Sequence, residues 1–324
     1  MNRERRARAA KRIKRGPGAW SAWVGLVCYC ALLKAIPVSW ISAVGCALGW
    51  LMYRFMGPRR RIALENLKIA LGRSTDPSGR RDILRSLARN LGTTVAELGH
   101  PRYLRAEVLR RHVGVQGLDR LNQALTGGRG AILVTAHFGN FPLLLARLAS
   151  EGYRLGVIVR DPRHRPAARF LDDWRARIGV MTVKDKPRWS SVKESLSLLR
   201  SNGVLVLHID LNVSQGGLYV PFFRQWVPTF QGPALLSLRT GAPVLFTFIR
   251  RVHAIHHRLT IEEPVLPPKT GDPKEDGWRL LWALTHRTEG IIREHPQEWW
   301  WIHRRFRKAR PAAEVGRPLP DFFA

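Results

Sequence analysis

The sequence predicts an α/β fold, a mostly parallel sheet flanked by helices, preceded by an N-terminal hydrophobic membrane anchor. Three observations lead there. From about residue 112, short apolar runs alternate with helical stretches, the pattern of strands buried on both faces. Between residues 19 and 53 the only charge is Lys34, and basic clusters stand on either side. Residues 131–145, AILVTAHFGNFPLLL, pass from an apolar strand through a short turn into an apolar helix.

Taken in order, residues 1–18 form a basic tail, solvated and expected on the cytoplasmic side. Residues 19–57 form the anchor or hairpin, divided by Pro37 into two apolar pieces. The first piece is short of the roughly 20 residues a spanning helix needs, so a shallow hairpin and a span followed by an interfacial helix both fit. Arg54 and Arg59-Arg60-Arg61 follow where a cleaved leader would give way to a mature soluble domain, so the segment is expected to stay attached. Basic residues on both sides put both ends on the cytoplasmic face. Gly45-x-x-x-Gly49 permits close helix packing, a motif of low specificity.

Residues 58–310 make the main domain. It opens with an amphipathic stretch at 59–71, a Pro-Ser-Gly turn near 77–79, and a second amphipathic helix carrying Ile83, Leu84, Leu87, Leu91, Val95 and Leu98. Strands are expected at 112–116, 131–136, 155–159, 180–183, 204–209 and 244–249. Helices are expected between them at 118–125, 141–149, 166–178, 191–200 and 232–239. Residues 264–277 read as a surface loop before a helix at 278–293, and a polar tail occupies 311–324.

Parallel strands end on one edge, and three ends carry polar groups: His137, Arg160 and Asp210. His137 stands between a strand end and a helix start, with Asn140 as N-cap and Pro142 in the first turn. That position offers helix N–H groups to a developing negative charge.

The chain has 324 residues, a net charge of +30 and twelve Trp. The charge calls for a polyanion; with so many amphipathic Trp beside an apolar N-terminus it favours an anionic membrane surface over nucleic acid. No helix-turn-helix, RNP or zinc motif supports nucleic-acid binding. Cys28, Cys30 and Cys46 lie in apolar sequence and indicate neither a disulfide framework nor a zinc site. His208-x-Asp210 and His253, His256 and His257 lack further ligands at metal spacing, so no metal is expected.

Four stretches in order then carry a resemblance. They are Val134-Thr-Ala-His-Phe-Gly-Asn-Phe; Asp210 followed by Gly217-Leu-Tyr-Val-Pro-Phe-Phe; Leu238-Arg-Thr-Gly-Ala-Pro-Val; and His295-Pro-Gln-Glu-Trp-Trp-Trp-Ile-His-Arg-Arg-Phe. Together with Leu48-Gly-Trp-Leu-Met-Tyr-Arg-Phe-Met and Glu65-Asn-Leu, the chain resembles the bacterial lipid A biosynthesis (late) acyltransferases of the lysophospholipid acyltransferase superfamily. The resemblance implies a glycerolphosphate-acyltransferase-like domain bound to the bacterial inner membrane, its main domain on the cytoplasmic face. It implies transfer of a fatty acyl chain from an acyl carrier protein or acyl-CoA thioester to a hydroxyl of a phosphorylated lipid acceptor, a lipid A precursor, without metal or organic cofactor. In that chemistry His137 is the base. Gly139 and Asn140 lie beside the substrate, and Arg160 and Arg250 meet phosphate or phosphopantetheine.

One departure stands out. The superfamily places Asp or Glu five residues after the histidine, where it orients the imidazole; here that residue is Pro142. Another acid serves, or the chemistry is altered, or the chain is a non-catalytic relative that binds lipid or a partner. Asp210, ending a different strand on the same edge, is the preferred substitute and Asp161 the second.

Overall fold

The computed structural model describes residues 33, 35–160, 165–213, 216–266 and 270–316. The basic tail, most of the first piece of the predicted anchor and Asp161 lie outside the described residues. Three helices open the described chain: α1 (Ile41–Phe55), α2 (Gly57–Leu71) and α3 (Pro77–Gly99). The Asp76 carboxylate accepts the Gly79 N–H and Pro77 follows at the first turn, which is why α3 starts there. The Gly45-x-x-x-Gly49 face is spent within the chain. Gly45 and Gly49 lie against α3 so closely that a Cβ at Gly92 would overlap the Gly45 carbonyl.

There follow α4 (Ala106–His112), β1 (Val113–Gln116), α5 (Leu118–Leu125), β2 (Ala131–Thr135) and α6 (Phe141–Ala149). Next come β3 (Leu155–Val159), α7 (Arg165–Arg177), β4 (Met181–Lys184), α8 (Arg188–Arg200) and β5 (Val204–His208). The remainder is β6 (Gly217–Phe222), β7 (Gln225–Phe230), α9 (Gly232–Thr240), β8 (Val244–His253), β9 (His256–Val265), α10 (Pro273–Glu294) and α11 (Ala312–Val315).

Seven strands form one sheet in the order β1-β9-β8-β2-β5-β3-β4. The run from β8 to β4 is parallel, joined by helical crossovers; β9 returns antiparallel to β8 and carries β1 with it. Alternate residues of the central strands feed two cores. Ile132 and Val134 of β2, with Leu205 and Leu207 of β5, join α2, α3, α9 and α10 on one face. Leu133 and Val206 join α6 and Trp174 on the other. Burial on both faces is what the uninterrupted apolar runs required.

Two expectations need correction, and one element was not expected. Strand 244–249 extends to His253 and turns back as β9, so the predicted loop at 264–277 begins inside a strand. The expected helix at 278–293 starts earlier, at Pro273, where the Asp272 carboxylate caps it by accepting the Lys274 N–H. Residues 217–230 form a separate antiparallel hairpin in which Tyr219 faces Pro228 and Pro221 faces Trp226. Among the described residues no helix is long and apolar enough to cross a membrane.

Candidate active site

Register explains the site. In the parallel pair β2–β5, Thr135 lies opposite His208, so the residue two further along each strand leaves the sheet at the same level. Those residues are His137 and Asp210. Although 73 residues apart, they meet: His137 Nδ1 lies 2.9 Å from Asp210 Oδ1. The His137 backbone N–H donates to Asp210 Oδ2 at 2.9 Å, and the Trp299 indole N–H donates to the same oxygen at 2.8 Å. Asp210 thus makes the contact with the imidazole that Pro142 cannot make.

Burial opposes ionisation of Asp210, but the His137 charge and its hydrogen bond, with help from Trp299, hold the carboxyl well below the usual carboxylate range. In the neutral imidazole, an ionised Asp210 accepts the Nδ1 proton and Nε2 keeps its lone pair; Nε2 has no hydrogen-bond partner among the described residues. The ring belongs to an aromatic cluster: Trp300 stacks on it at 5.2 Å, Phe141 meets it edge-on at 4.7 Å, and Phe141 and Trp300 touch each other at 5.7 Å. His208 lies 4.5 Å away, ring centre to ring centre. Burial, then the His137 charge, push His208 down to about 3, so it adds no competing charge.

The turn after His137 is held tightly. Gly139 sits at φ +55°, and a Cβ there would overlap the Ile249 carbonyl oxygen and crowd Glu298, so only glycine fits. Its N–H donates to the Glu298 carbonyl at 2.9 Å. Asn140 is fully buried; it caps α6 by accepting the Leu143 N–H, and its amide donates to Glu97 at 2.6 Å. Both ends of this side chain are therefore used inside the protein.

Glu97 is a hub that local sequence pattern did not reveal, because it lies on an amphipathic helix among ordinary core residues. Besides Asn140 it binds Arg251 at 2.5 and 2.9 Å and His257 at 2.9 Å. Burial alone would raise its carboxyl, but His257 and Arg251 hold it down to about 2.

Arg160 stands at the end of β3 with its side chain mostly exposed, paired with Asp185 at 2.8 Å. It lines an apolar groove of about 1310 Å³ whose wall also includes Ile158, Val192, Val213, Leu218 and Leu235. Val213 is three residues past Asp210, and Ile158 belongs to the strand beside β5, so groove and dyad share one sheet edge. Arg250 is half-buried on β8, and its side chain makes no hydrogen bond or ion pair among the described residues; its charge acts on His295 and Glu298. Among the described residues no group of three or more His, Cys, Asp or Glu is arranged to hold a metal.

The family model described as "Bacterial lipid A biosynthesis acyltransferase" matches residues 9–308. The lipid A biosynthesis lauroyltransferase of Escherichia coli (strain K12) is 24% identical over 307 residues, 93% of this chain and 95% of that protein. The lipid A biosynthesis palmitoleoyltransferase of the same organism is 25% identical over 304 residues, 92% and 94% of the two chains. A phosphatidylinositol mannoside acyltransferase of Mycobacterium tuberculosis (strain ATCC 25618 / H37Rv) is 27% identical over 201 residues, 60% and 59% of the two chains. Among solved structures, the 1-acyl-sn-glycerophosphate acyltransferase of Thermotoga maritima aligns over 77% of this chain and 95% of that one, with 13% identity and a TM-score of 0.38.

Proposed function

The chain belongs to the bacterial lipid A biosynthesis acyltransferase family, and from that premise we propose that it moves a fatty acyl chain from an acyl carrier protein or acyl-CoA thioester to a hydroxyl of a lipid A precursor. The contact that carries the reading is the 2.9 Å pairing of His137 Nδ1 with Asp210 at the sheet edge. Nε2 takes the proton of the acceptor hydroxyl as its oxygen attacks the thioester carbonyl, and Asp210 stabilises the imidazolium. Collapse of the tetrahedral intermediate expels the thiolate, which takes the proton back from Nε2. The ester forms, the thioester breaks, and the imidazole is restored. No cofactor enters.

The N–H groups of His137, Phe138 and Gly139 are spent on Asp210, Ala136 and Glu298. That leaves the start of α6, with the Phe141 N–H, to meet the oxyanion. The groove at the same edge exceeds the roughly 300–1,000 Å³ of ordinary ligand pockets. It has an apolar wall for the acyl chain, and Arg160, Lys186, Arg188 and Arg239 at its margin for the anionic donor.

The reaction takes place at the cytoplasmic face of the bacterial inner membrane. Support comes from α1, which exposes Trp50 and Phe55 beside Arg54, with exposed Trp40 just before it and Arg59, Arg60 and Arg61 following. Purified protein in detergent, given acyl carrier protein and coenzyme A donors separately with a lipid A precursor, tests the reading. Acceptor mass rises by one acyl chain if it is right. No product with either donor, and unchanged lipids in cells lacking the gene, overturns it.

A further inference from the structure

Resting on the acyl-transfer reading, we infer that Trp299 is a positioning residue of the reaction: its indole N–H fixes the Asp210 carboxylate so that one oxygen faces His137. An acid in the first turn of α6 would be aimed by the helix itself. Asp210 instead stands on irregular backbone past the end of β5, where nothing regular sets its side-chain torsions. Two donors do so, the His137 N–H and the Trp299 indole, and both bind Oδ2, which reserves Oδ1 for Nδ1. The first donor belongs to the turn that must itself be positioned. Trp299 comes from outside both loops.

Its own direction is fixed. Trp299 is 1% exposed, edge-on to Trp301 at 4.6 Å and to Phe222 at 5.7 Å. The segment around it grips both halves of the dyad. On one side, Glu298 O accepts the Gly139 N–H and the Trp300 N–H donates to His137 O at 3.1 Å. On the other, Arg305 Nη1 donates to Leu211 O at 3.0 Å, and the Asn212 N–H donates to His303 Nε2 at 2.9 Å. Asp210, Leu211 and Asn212 are each tied to this one segment.

The test replaces Trp299 by benzothienylalanine, which keeps the bicyclic shape and puts sulfur where the N–H was. A hydrogen bond to a charged group is worth about a tenfold effect or more, so kcat is expected to fall about tenfold with KM unchanged. The downfield proton resonance of His137 Nδ1–H, read in protein carrying ¹⁵N-histidine, is expected to move. Trp299→Phe should shift both readouts the same way. Trp278→Phe removes another indole donor, to Tyr219 O at 2.9 Å, and should change neither. Wild-type kcat and an unmoved resonance in the benzothienyl protein overturn the inference. If wild type acylates no acceptor, the acyl-transfer reading fails; the resonance needs no turnover and still decides whether Trp299 positions Asp210.

Discussion

His137→Ala is expected to abolish acyl transfer while leaving the circular dichroism spectrum unchanged, because the side chain stands beyond the end of β2. Asp210→Asn keeps shape but loses the charge that stabilises imidazolium, and turnover should fall by about a hundredfold to ten-thousandfold. Pro142→Glu places an acid in the first turn of α6, where negative charge is favoured, and should partly restore Asp210→Asn. Transfer assays on all four proteins check this, and a fully active Asp210→Asn would shift the role to Asp161. Glu298 gives a pH signature. Burial pushes its carboxyl up to about 7, against the downward pull of the Arg251 N–H. Folding therefore favours the protonated form, and that stabilisation is complete below about pH 4.5 and lost as pH rises through 7. Glu298→Gln keeps an acceptor for Arg251 and cannot ionise. Its melting temperature should gain on wild type between pH 5 and 8, and parallel curves would contradict the assignment.

At the level of elements, the tightest test is the crossing of α1 and α3. Gly92→Ala places a methyl against the backbone of Gly45 and Gly49, an overpacking that costs roughly 1–3 kcal/mol; thermal unfolding should show a lowered midpoint. What local sequence revealed and what it hid divide along the same line. β2, its turn and α6 were legible because strand, breaker and cap follow one another within fifteen residues. Asp210 was legible as a polar residue ending an apolar run. β9 was hidden because His256, His257, Arg258, Glu262 and Glu263 dilute its apolar pattern. The β6–β7 hairpin was hidden by Pro221 and Pro228, tolerated because a two-stranded ribbon has only edges. Trp299 and Glu97 act across 89 and 43 residues, on Asp210 and Asn140, and no local pattern signals such a pairing.

For the whole molecule, the proposed reading predicts that charge and apolar surface contribute separably to membrane binding. With a net charge of +30, the protein should sediment with phosphatidylglycerol vesicles in preference to phosphatidylcholine ones, and less so as salt shortens the screening length to about 3 Å at 1 M. Trp50→Ala with Phe55→Ala should weaken the binding that survives high salt and leave the low-salt component largely in place; equal loss of both would refute the division. The fastening of the dyad by residues 298–305 bears on damage and turnover in the cell. A chain nicked or terminated before Trp299 keeps β2, β5 and most of the groove wall, yet its His137 and Asp210 loops lose their common anchor. The same cut strips Trp299, Trp301 and Phe306 from the buried core, so the dyad and that part of the core stand or fall together.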